Sequence, residues 1–401
     1  MTILANYKMI GGIHPETAAL KNALAHAGVV APHTGKPFSE AMILGIGGGL
    51  GIGYILWEFK AHNLKILVIA FRKDWQYPVR FMQAVCERLN VACSVLETTG
   101  KGTAAKQLHD ALERGIAPIA WVDRAHMPYL QLREDLKGHM THIVVVYGVD
   151  GENVLVDDLS AQPFTVPAEI FADGRNRIVS VKNRLLLVHA DPLKPIDLPA
   201  AIMGGIQDAI EHLGGASDSF SLPAIRKWAR LITDDKNAKG WRKVFADRIG
   251  LFSNLYSINE GIELSGTGGG AMRGLYADFL TEAAPIVNKP ALNDAAERYR
   301  SLARQWSDLA DTALPDDVPA LRETKLLLRQ KYDAMAAKGA SALAELQPVS
   351  ARLAALEMEN NVAFPADDAR VEALFETLGK KLTTIYEAEV KALDTLRAAV
   401  A

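Results

Sequence analysis

The sequence has little cysteine and no block of basic residues. Its two cysteines, Cys86 and Cys93, cannot build a disulfide framework and lack the paired spacing of a structural zinc site, which is typical of a reducing compartment. Lys and Arg number 44 against 47 Asp and Glu, for a net charge of −3, so the electrostatic footprint of a general DNA- or RNA-binding protein is missing. Residues 1–20 carry a lone Lys8 and lack the pattern of a signal or transit peptide. We therefore expect a cytoplasmic protein that does not bind nucleic acid.

One uncharged apolar run, residues 41–57, has the length of a short membrane span. Six of its 17 residues are glycine and no positive residues flank it, so the pattern favours a buried helix. Gly45, Gly49 and Gly53 recur at every fourth position, which predicts a helical face where another backbone can approach closely. The run lacks the G-x-G-x-x-G pattern of a dinucleotide-binding loop. We expect neither a membrane partner nor a cofactor.

A chain of 401 residues predicts two domains, because one hydrophobic core rarely supports so many residues. Extended and helical patterns alternate up to about Asp191, and the later pattern is almost entirely helical. Three prolines between residues 189 and 199 indicate the boundary. We predict an α+β domain, residues 1–192, followed by an all-α helical bundle, residues 193–401. The oligomeric state stays open, a homo-oligomer included.

Short apolar runs predict the strands of the first domain, at 64–70, 91–96, 117–122, 143–149, 154–156 and 185–188. Helical spacing predicts helices at 77–89 and 101–114, and then at 199–213, 222–233, 291–314, 318–361 and 367–400. The last of these carries one apolar stripe formed by Val371, Leu374, Phe375, Leu378, Leu382 and Ile385.

Residues 141–159 predict a β-hairpin, because two extended runs flank Asp150-Gly151, a dipeptide suited to a tight turn. If these two residues centre the turn, Asp157 shares a sheet face with His142, and if the loop is one residue longer Asp158 takes that place. A carboxylate that orients an imidazole forms part of a nucleophile-activating triad. We therefore identify His142, Asp157 and Asp158 as candidate catalytic residues.

The rest of such a site is expected at a helix N-terminus, which favours an anion and lowers the pKa of a thiol. Residues 11–17 lead into a helical pattern that stops at Gly28. Pro15 suits the first helical position and Glu16 the first turn, but no cysteine is present there.

Three segments carry a family resemblance: G-G-x-H-x-E-T-A-A-L-K-N-x-L from Gly11, S-E-A-M-I-L-G-I-G-G-G-L-G from Ser39, and T-H-I-V-V-V-Y-G from Thr141. They resemble the amino-terminal domain of the butirosin-biosynthesis protein H family, and the remainder resembles the helical domain often fused to it. The resemblance implies a papain-like fold of the bacteriocin-processing peptidase type. It also implies acyl transfer, since the name-giving member moves an aminoacyl group from a carrier-protein thioester to an amine.

In that family a cysteine follows the histidine at the helix start, and the matching residue here is Pro15, while the family's His and Asp match His142 and Asp157. Loss of a nucleophile costs on the order of 10⁶-fold in subtilisin, so a thiol mechanism is excluded. Thr17 is a weaker hydroxyl candidate, since such a residue more often satisfies helix-end amides. The resemblance places the cleft at His14, Pro15, Glu16, Thr17, Ser39 and Glu40.

Three functions stay open. The first is an acyl- or amide-processing enzyme of specialised metabolism, an acyltransferase or amidohydrolase, in which His142 is the base acting on a small-molecule or carrier-protein-linked acyl substrate. The second is an inactive protein that binds such a ligand in the former cleft and at the first helix N-terminus. The third is a metal site with the ligands His14, Glu16, His142 and Asp157.

A second Gly-rich segment, residues 265–280, predicts a turn that opens a helix with Arg273 in its first turn. Free N–H groups at such a turn can hold a phosphate or carboxylate. The candidate ligand-binding residues of this segment are Gly268, Gly269, Gly270, Arg273 and Tyr276.

Overall fold

The computed structural model describes residues 2–59, 61, 63–191 and 194–401. The chain divides into two compact units, each built from segments that are not contiguous in sequence. The first unit comprises Met1–Ile43, Pro78–Ala201 and Lys331–Ser350, and the second comprises Leu44–Tyr77, Ile202–Gln330 and Ala351–Ala401. The limits 1–192 and 193–401 stay a prediction, because their junction falls on residues 192 and 193, outside the described residues.

The described strands are β1 (Thr2–Ile3), β2 (Leu50–Phe59), β3 (Leu64–Arg72), β4 (Ala92–Leu96), β5 (Ile119–Asp123), β6 (Thr141–Asp150), β7 (Asn153–Asp157), β8 (Phe164–Pro167) and β9 (Leu185–His189). The described α-helices are α1 (Pro15–His26), α2 (Glu40–Ile46), α3 (Pro78–Arg88), α4 (Lys101–Glu113), α5 (Ala168–Arg177), α6 (Leu198–Leu213), α7 (Pro223–Thr233), α8 (Trp241–Val244), α9 (Leu251–Glu263), α10 (Arg273–Ile286), α11 (Leu292–Ala313), α12 (Pro319–Lys338), α13 (Leu343–Val362) and α14 (Asp368–Val400). The predicted α+β organisation with a helical C-terminal region is confirmed.

An antiparallel sheet lies at the centre of the first unit, in the order β4-β9-β5-β6-β7-β8, with β1 paired to β6. Five of the six strands predicted for the first domain lie in this sheet, whereas the run 64–70 forms β3, which pairs with β2 in the second unit. The β-branched residues of β6 are buried from Ile143 to Val146, which suits a central strand. Because α1 packs against β6 and α5 against β5, helices bring polar side chains to this sheet.

Helices dominate the second unit, which also contains the β2–β3 pair. The predicted apolar stripe of α14 is buried from Val371 to Ile385. Asp367 caps this helix by accepting a hydrogen bond from the Arg370 N–H at 2.8 Å. The predicted helix 318–361 is interrupted at Gly339, whose φ of +53° belongs to the left-handed region.

The helix predicted over residues 41–57 is wrong beyond Ile46. Gly48 and Gly49 have φ values of +101° and +64°, which end α2, and the chain continues as β2. The predicted close approach is confirmed at Gly45, because a Cβ added to Gly205 of α6 would overlap the Gly45 carbonyl oxygen. Among the described residues, no helix combines the length and the apolarity that a membrane crossing requires.

Candidate active site at one end of the sheet

The start of α1 is held by the carboxylate of Glu40. The Ile13 N–H donates to Glu40 Oε2 at 2.8 Å, and the His14 N–H donates to Glu40 Oε1 at 2.7 Å. The Thr17 hydroxyl also donates to Oε1, at 2.6 Å, and its side chain is fully buried. Thr17 is therefore committed to Glu40, and its candidacy as a nucleophile is not supported.

The predicted helix-start residues take ordinary N-terminal positions. His14 is the N-cap of α1, Pro15 is the first helical residue, and His14 Nε2 lies 2.7 Å from Glu16 Oε2. Ser39 caps α2, because its hydroxyl accepts a hydrogen bond from the Met42 N–H at 3.0 Å. The structure thus gathers five of the six predicted cleft residues around Glu40 and the start of α1, and it leaves Ser39 as a helix cap.

The hairpin turn lies one residue later than a turn centred on Asp150-Gly151. Asp150 pairs with Asn153, and the register shifts again between Val146 and Gly148. Val145 then faces Asp157, while His142 lies three residues earlier on β6. Because strand side chains alternate, His142 shares a face with Asp158 and not with Asp157.

His142 and Asp158 form a close imidazole–carboxylate pair. His142 Nε2 lies 2.6 Å from Asp158 Oδ2, and both side chains are nearly buried. The Tyr129 hydroxyl donates to the same oxygen at 2.8 Å, and the Tyr129 ring stacks on Phe164. An ionised carboxylate only accepts hydrogen bonds, so Nε2 carries the proton and Nδ1 has the free lone pair. This Nδ1 has no hydrogen-bond partner within the described part of the chain.

Asp157 belongs to a different set of contacts. Its Oδ2 accepts hydrogen bonds from the Tyr7 hydroxyl at 2.5 Å and from Asn22 Nδ2 of α1 at 2.8 Å. The role that the family resemblance implies for Asp157 as the partner of His142 is therefore taken by Asp158. Asp157 instead ties α1 to the sheet.

The start of α1 and the imidazole–carboxylate pair meet at one end of the sheet. The Gly12 N–H donates to the carbonyl oxygen of Leu159, the residue after Asp158, at 2.7 Å. Lys21 Nζ donates to the Gly11 carbonyl at 2.7 Å, which anchors the same segment. The predicted neighbourhood of helix start and hairpin is thus present, linked through the backbone at Gly12 and Leu159.

Comparison with known families gives two matches. Residues 14–159 match the model of the butirosin biosynthesis protein H N-terminal domain, and residues 175–346 match a domain of unknown function, DUF4872. The first match identifies residues 14–159 as a butirosin biosynthesis protein H N-terminal domain. A search of curated proteins found no match. The family is a biosynthetic one that processes acyl or amide groups, and the first unit is consistent with its papain-like fold.

Lys21 is a functional candidate of the butirosin biosynthesis protein H domain that the sequence did not indicate. It is nearly buried, and its Nζ lies 3.9 Å from Glu40 Oε2. Burial lowers the pKa of Lys21, although the charges of Glu40 and Asp157 act in the opposite direction. The apolar pattern of α1 does not indicate whether its lysine is buried, because burial depends on segments that are distant in the sequence.

A second imidazole–carboxylate pair also escaped the sequence analysis. His126 Nδ1 lies 2.5 Å from Asp123 Oδ2, and Asp123 is fully buried at the end of β5. The spacing of three residues after a predicted strand was the available signal, but such a spacing is common in turns.

The predicted ligand site at Gly268, Gly269, Gly270, Arg273 and Tyr276 is not supported. Arg273 and Tyr276 are fully buried, and Arg273 Nε donates to Glu389 Oε1 at 2.8 Å. The Gly270 N–H donates to Glu263 Oε1 at 3.1 Å, so a carboxylate of the chain occupies this donor. The turn therefore belongs to the core of the second unit, where the charge of Arg273 is paired with that of Glu389.

The proposed metal ligands are not gathered into a metal site. His14 contacts Glu16, whereas Asp157 and His142 point to opposite faces of the sheet. Within the described ranges, no three or more His, Cys, Asp or Glu side chains are arranged to hold a metal ion. The metal alternative therefore has no structural support.

A cavity of about 290 Å³ in the first unit lies away from Pro15. Its lining includes His26 at the last turn of α1 and His189 at the end of β9. Because α1 has 12 residues, its two ends are about 17 Å apart. The cavity is therefore separate from the pair formed by His142 and Asp158.

Asp157 should give the protein a measurable pH dependence. Burial is the main cause that raises the pKa of Asp157, and the charge of Asp158 acts in the same direction. Since the folded-state pKa exceeds the unfolded value, this stabilising contribution is complete below about pH 4 and is lost as the pH rises through the folded-state pKa. Asp157→Asn cannot ionise, so its melting temperature should increasingly exceed that of the wild type as the pH rises toward neutrality.

Thermal melts between pH 4 and 8 measure this difference. Asp150→Asn is the control, because Asp150 is exposed at the hairpin turn. Parallel curves for wild type and Asp157→Asn would contradict the raised pKa.

Proposed function

We propose that this protein processes acyl or amide bonds without a cysteine nucleophile, with His142 as general base. The pair His142–Asp158 carries the proposal, because its 2.6 Å contact leaves Nδ1 as the free acceptor of the imidazole. Tyr129 supports it by donating to the same carboxylate oxygen and so restricting the orientation of Asp158. Membership of an acyl- or amide-processing family points to the same chemistry.

The proposed reaction is direct transfer from a small-molecule or carrier-linked acyl thioester. His142 Nδ1 takes the proton of an acceptor amine, or of water, as its nitrogen or oxygen adds to the acyl carbon. The carbon–sulfur bond then breaks, and the imidazolium returns the proton to the departing thiolate. Asp158 stabilises the imidazolium that forms between these steps. No covalent intermediate with the protein is needed, which accommodates Pro15.

His142→Ala tests this function. With an acyl thioester and an amine acceptor, we expect the rate of thiol release to fall about 100-fold or more, because a positioned base typically contributes that much. His139→Ala is the matched control, since His139 is an exposed imidazole three residues earlier. A folded His142→Ala variant with the wild-type rate would discard the base.

A binding function is the second candidate, and Pro15 favours it because a proline at the start of α1 supplies no nucleophile. Pro15 occupies the first helical position, and Glu40 already accepts the N–H groups of Ile13 and His14. A carboxylate in this place repels an anionic ligand, so a thermal-shift screen should begin with neutral and cationic acyl compounds. A specific increase in melting temperature without turnover would favour binding alone.

A further inference from the structure

We propose that His126 and Asp123 form a second proton-transfer site in the first unit, where the imidazole activates water for the hydrolysis of small carboxylic esters. This site is independent of the function proposed for His142. It is built by the end of β5 and the short 3-10 turn Arg124–His126 that follows.

Asp123 fixes the tautomer of His126. Its Oδ2 lies 2.5 Å from His126 Nδ1 and accepts the Gly138 N–H at 2.9 Å. Because the ionised carboxylate only accepts, Nδ1 carries the ring proton and Nε2 has the free lone pair. The arrangement therefore presents Nε2 as a base.

The second carboxylate oxygen argues against a purely structural turn. Asp123 Oδ1 is buried and has no hydrogen-bond partner among the described residues. Such an unsatisfied buried acceptor costs stability, and a turn could be closed by a fully satisfied side chain. A buried negative charge has a chemical use here, since it stabilises the imidazolium that forms when Nε2 takes a proton.

His126 packs against α5 and its side chain stays partly exposed to solvent. Its side chain is 12% exposed, and Nε2 has no hydrogen-bond partner in the described part of the chain. Gly174 of α5 packs against it, because a Cβ added there would lie 2.9 Å from His126 Cβ. The neighbouring Asp173 is exposed and paired with Lys101 at 2.9 Å, so Asp123 is the partner that orients the ring.

The chain offers an exposed counterpart to this pair. His109 Nε2 lies 3.1 Å from Glu113 Oε1 on the surface of α4, with both side chains more than half exposed. An exposed pair is screened by water and holds its ring weakly. His109 therefore serves as the matched control for an imidazole beside a carboxylate.

In the proposed step, Nε2 of His126 takes one proton from a water molecule as the water oxygen adds to the ester carbonyl. The bond from the acyl carbon to the alcohol oxygen then breaks. With p-nitrophenyl acetate the products are acetate and p-nitrophenolate, and both protons of the water pass to the solvent. No oxidant or cofactor is required.

The test is the steady-state release of p-nitrophenolate from p-nitrophenyl acetate by the full chain. Stoichiometric acylation of surface amines gives only a burst, so it does not contribute to the steady-state rate. We expect His126→Gln and Asp123→Asn each to lose about tenfold or more of the rate above buffer, while His109→Gln keeps the wild-type rate. Circular dichroism and melting temperature establish that each variant is folded.

Two outcomes would overturn the proposal. The first is a folded His126→Gln or Asp123→Asn variant that keeps the wild-type rate. The second is a loss in His142→Ala with none in His126→Gln, which assigns ester cleavage to the other pair. If His126→Gln does not fold, His126→Gly with added imidazole decides: turnover above that of the same imidazole concentration without protein supports the site, and a rate no higher than that overturns it.

Discussion

Glu389→Ala should lower the free energy of unfolding by about 3–5 kcal/mol, because it leaves the Arg273 charge buried without its partner. Arg273 and Glu389 are almost completely inaccessible, and Arg273 Nε lies 2.8 Å from Glu389 Oε1. Trp306 Nε1 donates to the same oxygen at 2.9 Å. The Arg273 guanidinium also lies over the rings of Phe71 and Trp306, at 5.5 and 5.4 Å from their centroids. One truncation thus removes the acceptor that two buried donors, the Arg273 guanidinium and the Trp306 indole, share.

Denaturant unfolding measures this loss, and the second unit contains a matched control. Arg352 makes a two-fold contact with Glu323, at 2.7 and 2.8 Å, but both side chains are exposed. Glu323→Ala should therefore cost less than about 1 kcal/mol. The double variant Arg273→Met, Glu389→Leu should recover most of the stability, since it leaves no buried charge. Equal losses in Glu389→Ala and Glu323→Ala would refute this account of the pair.

Gly205→Ala should destabilise the protein by about 1–3 kcal/mol or more, although alanine is the better helix former. The added Cβ would overlap the Gly45 carbonyl oxygen of α2. This oxygen is a backbone atom, so no side-chain rotation can relieve the overlap. Helices α2 and α6 would have to separate, and their buried contacts would be lost.

Gly274→Ala is the control for this substitution. An added Cβ at Gly274 of α10 meets nothing within 4 Å, so we expect a neutral effect or a gain of up to about 1 kcal/mol. Melting temperatures and denaturant midpoints of the two variants give the comparison. If Gly205→Ala matched Gly274→Ala, the close helix approach at Gly45 would be disproved.

Hydrophobic periodicity predicted most elements of the fold, but it failed in the glycine-rich run from residue 41 to residue 57. The run from residue 41 to 57 is apolar throughout, and the same letters suit a buried helix or a buried strand. The choice is made at Gly48 and Gly49, whose positive φ angles end α2 and start β2. A local pattern does not contain this information, because glycine adopts either sign of φ at little cost.

The candidate site was predictable as a set of residues and not as a set of contacts. His142 and its two aspartates were apparent from the hairpin pattern, yet a register shift near Tyr147 determined that Asp158 is the partner. The burial and pairing of Arg273 were unpredictable for a related reason. Its partner Glu389 lies more than a hundred residues away, so only folding shows that the charge is neutralised inside the protein.

Composition, periodicity and turn residues by themselves determined the class of this protein, an α+β domain ahead of a helical region, and the hairpin that carries His142. Tertiary structure decided which carboxylate meets which imidazole, that Glu40 occupies the start of α1, and that Asp123 is buried beside His126. The physical reason is the separation along the chain over which each effect acts. Backbone preferences and apolar spacing act over a few residues, whereas pairing, burial and the electrostatics of a site depend on groups that only the folded chain brings within a few ångströms.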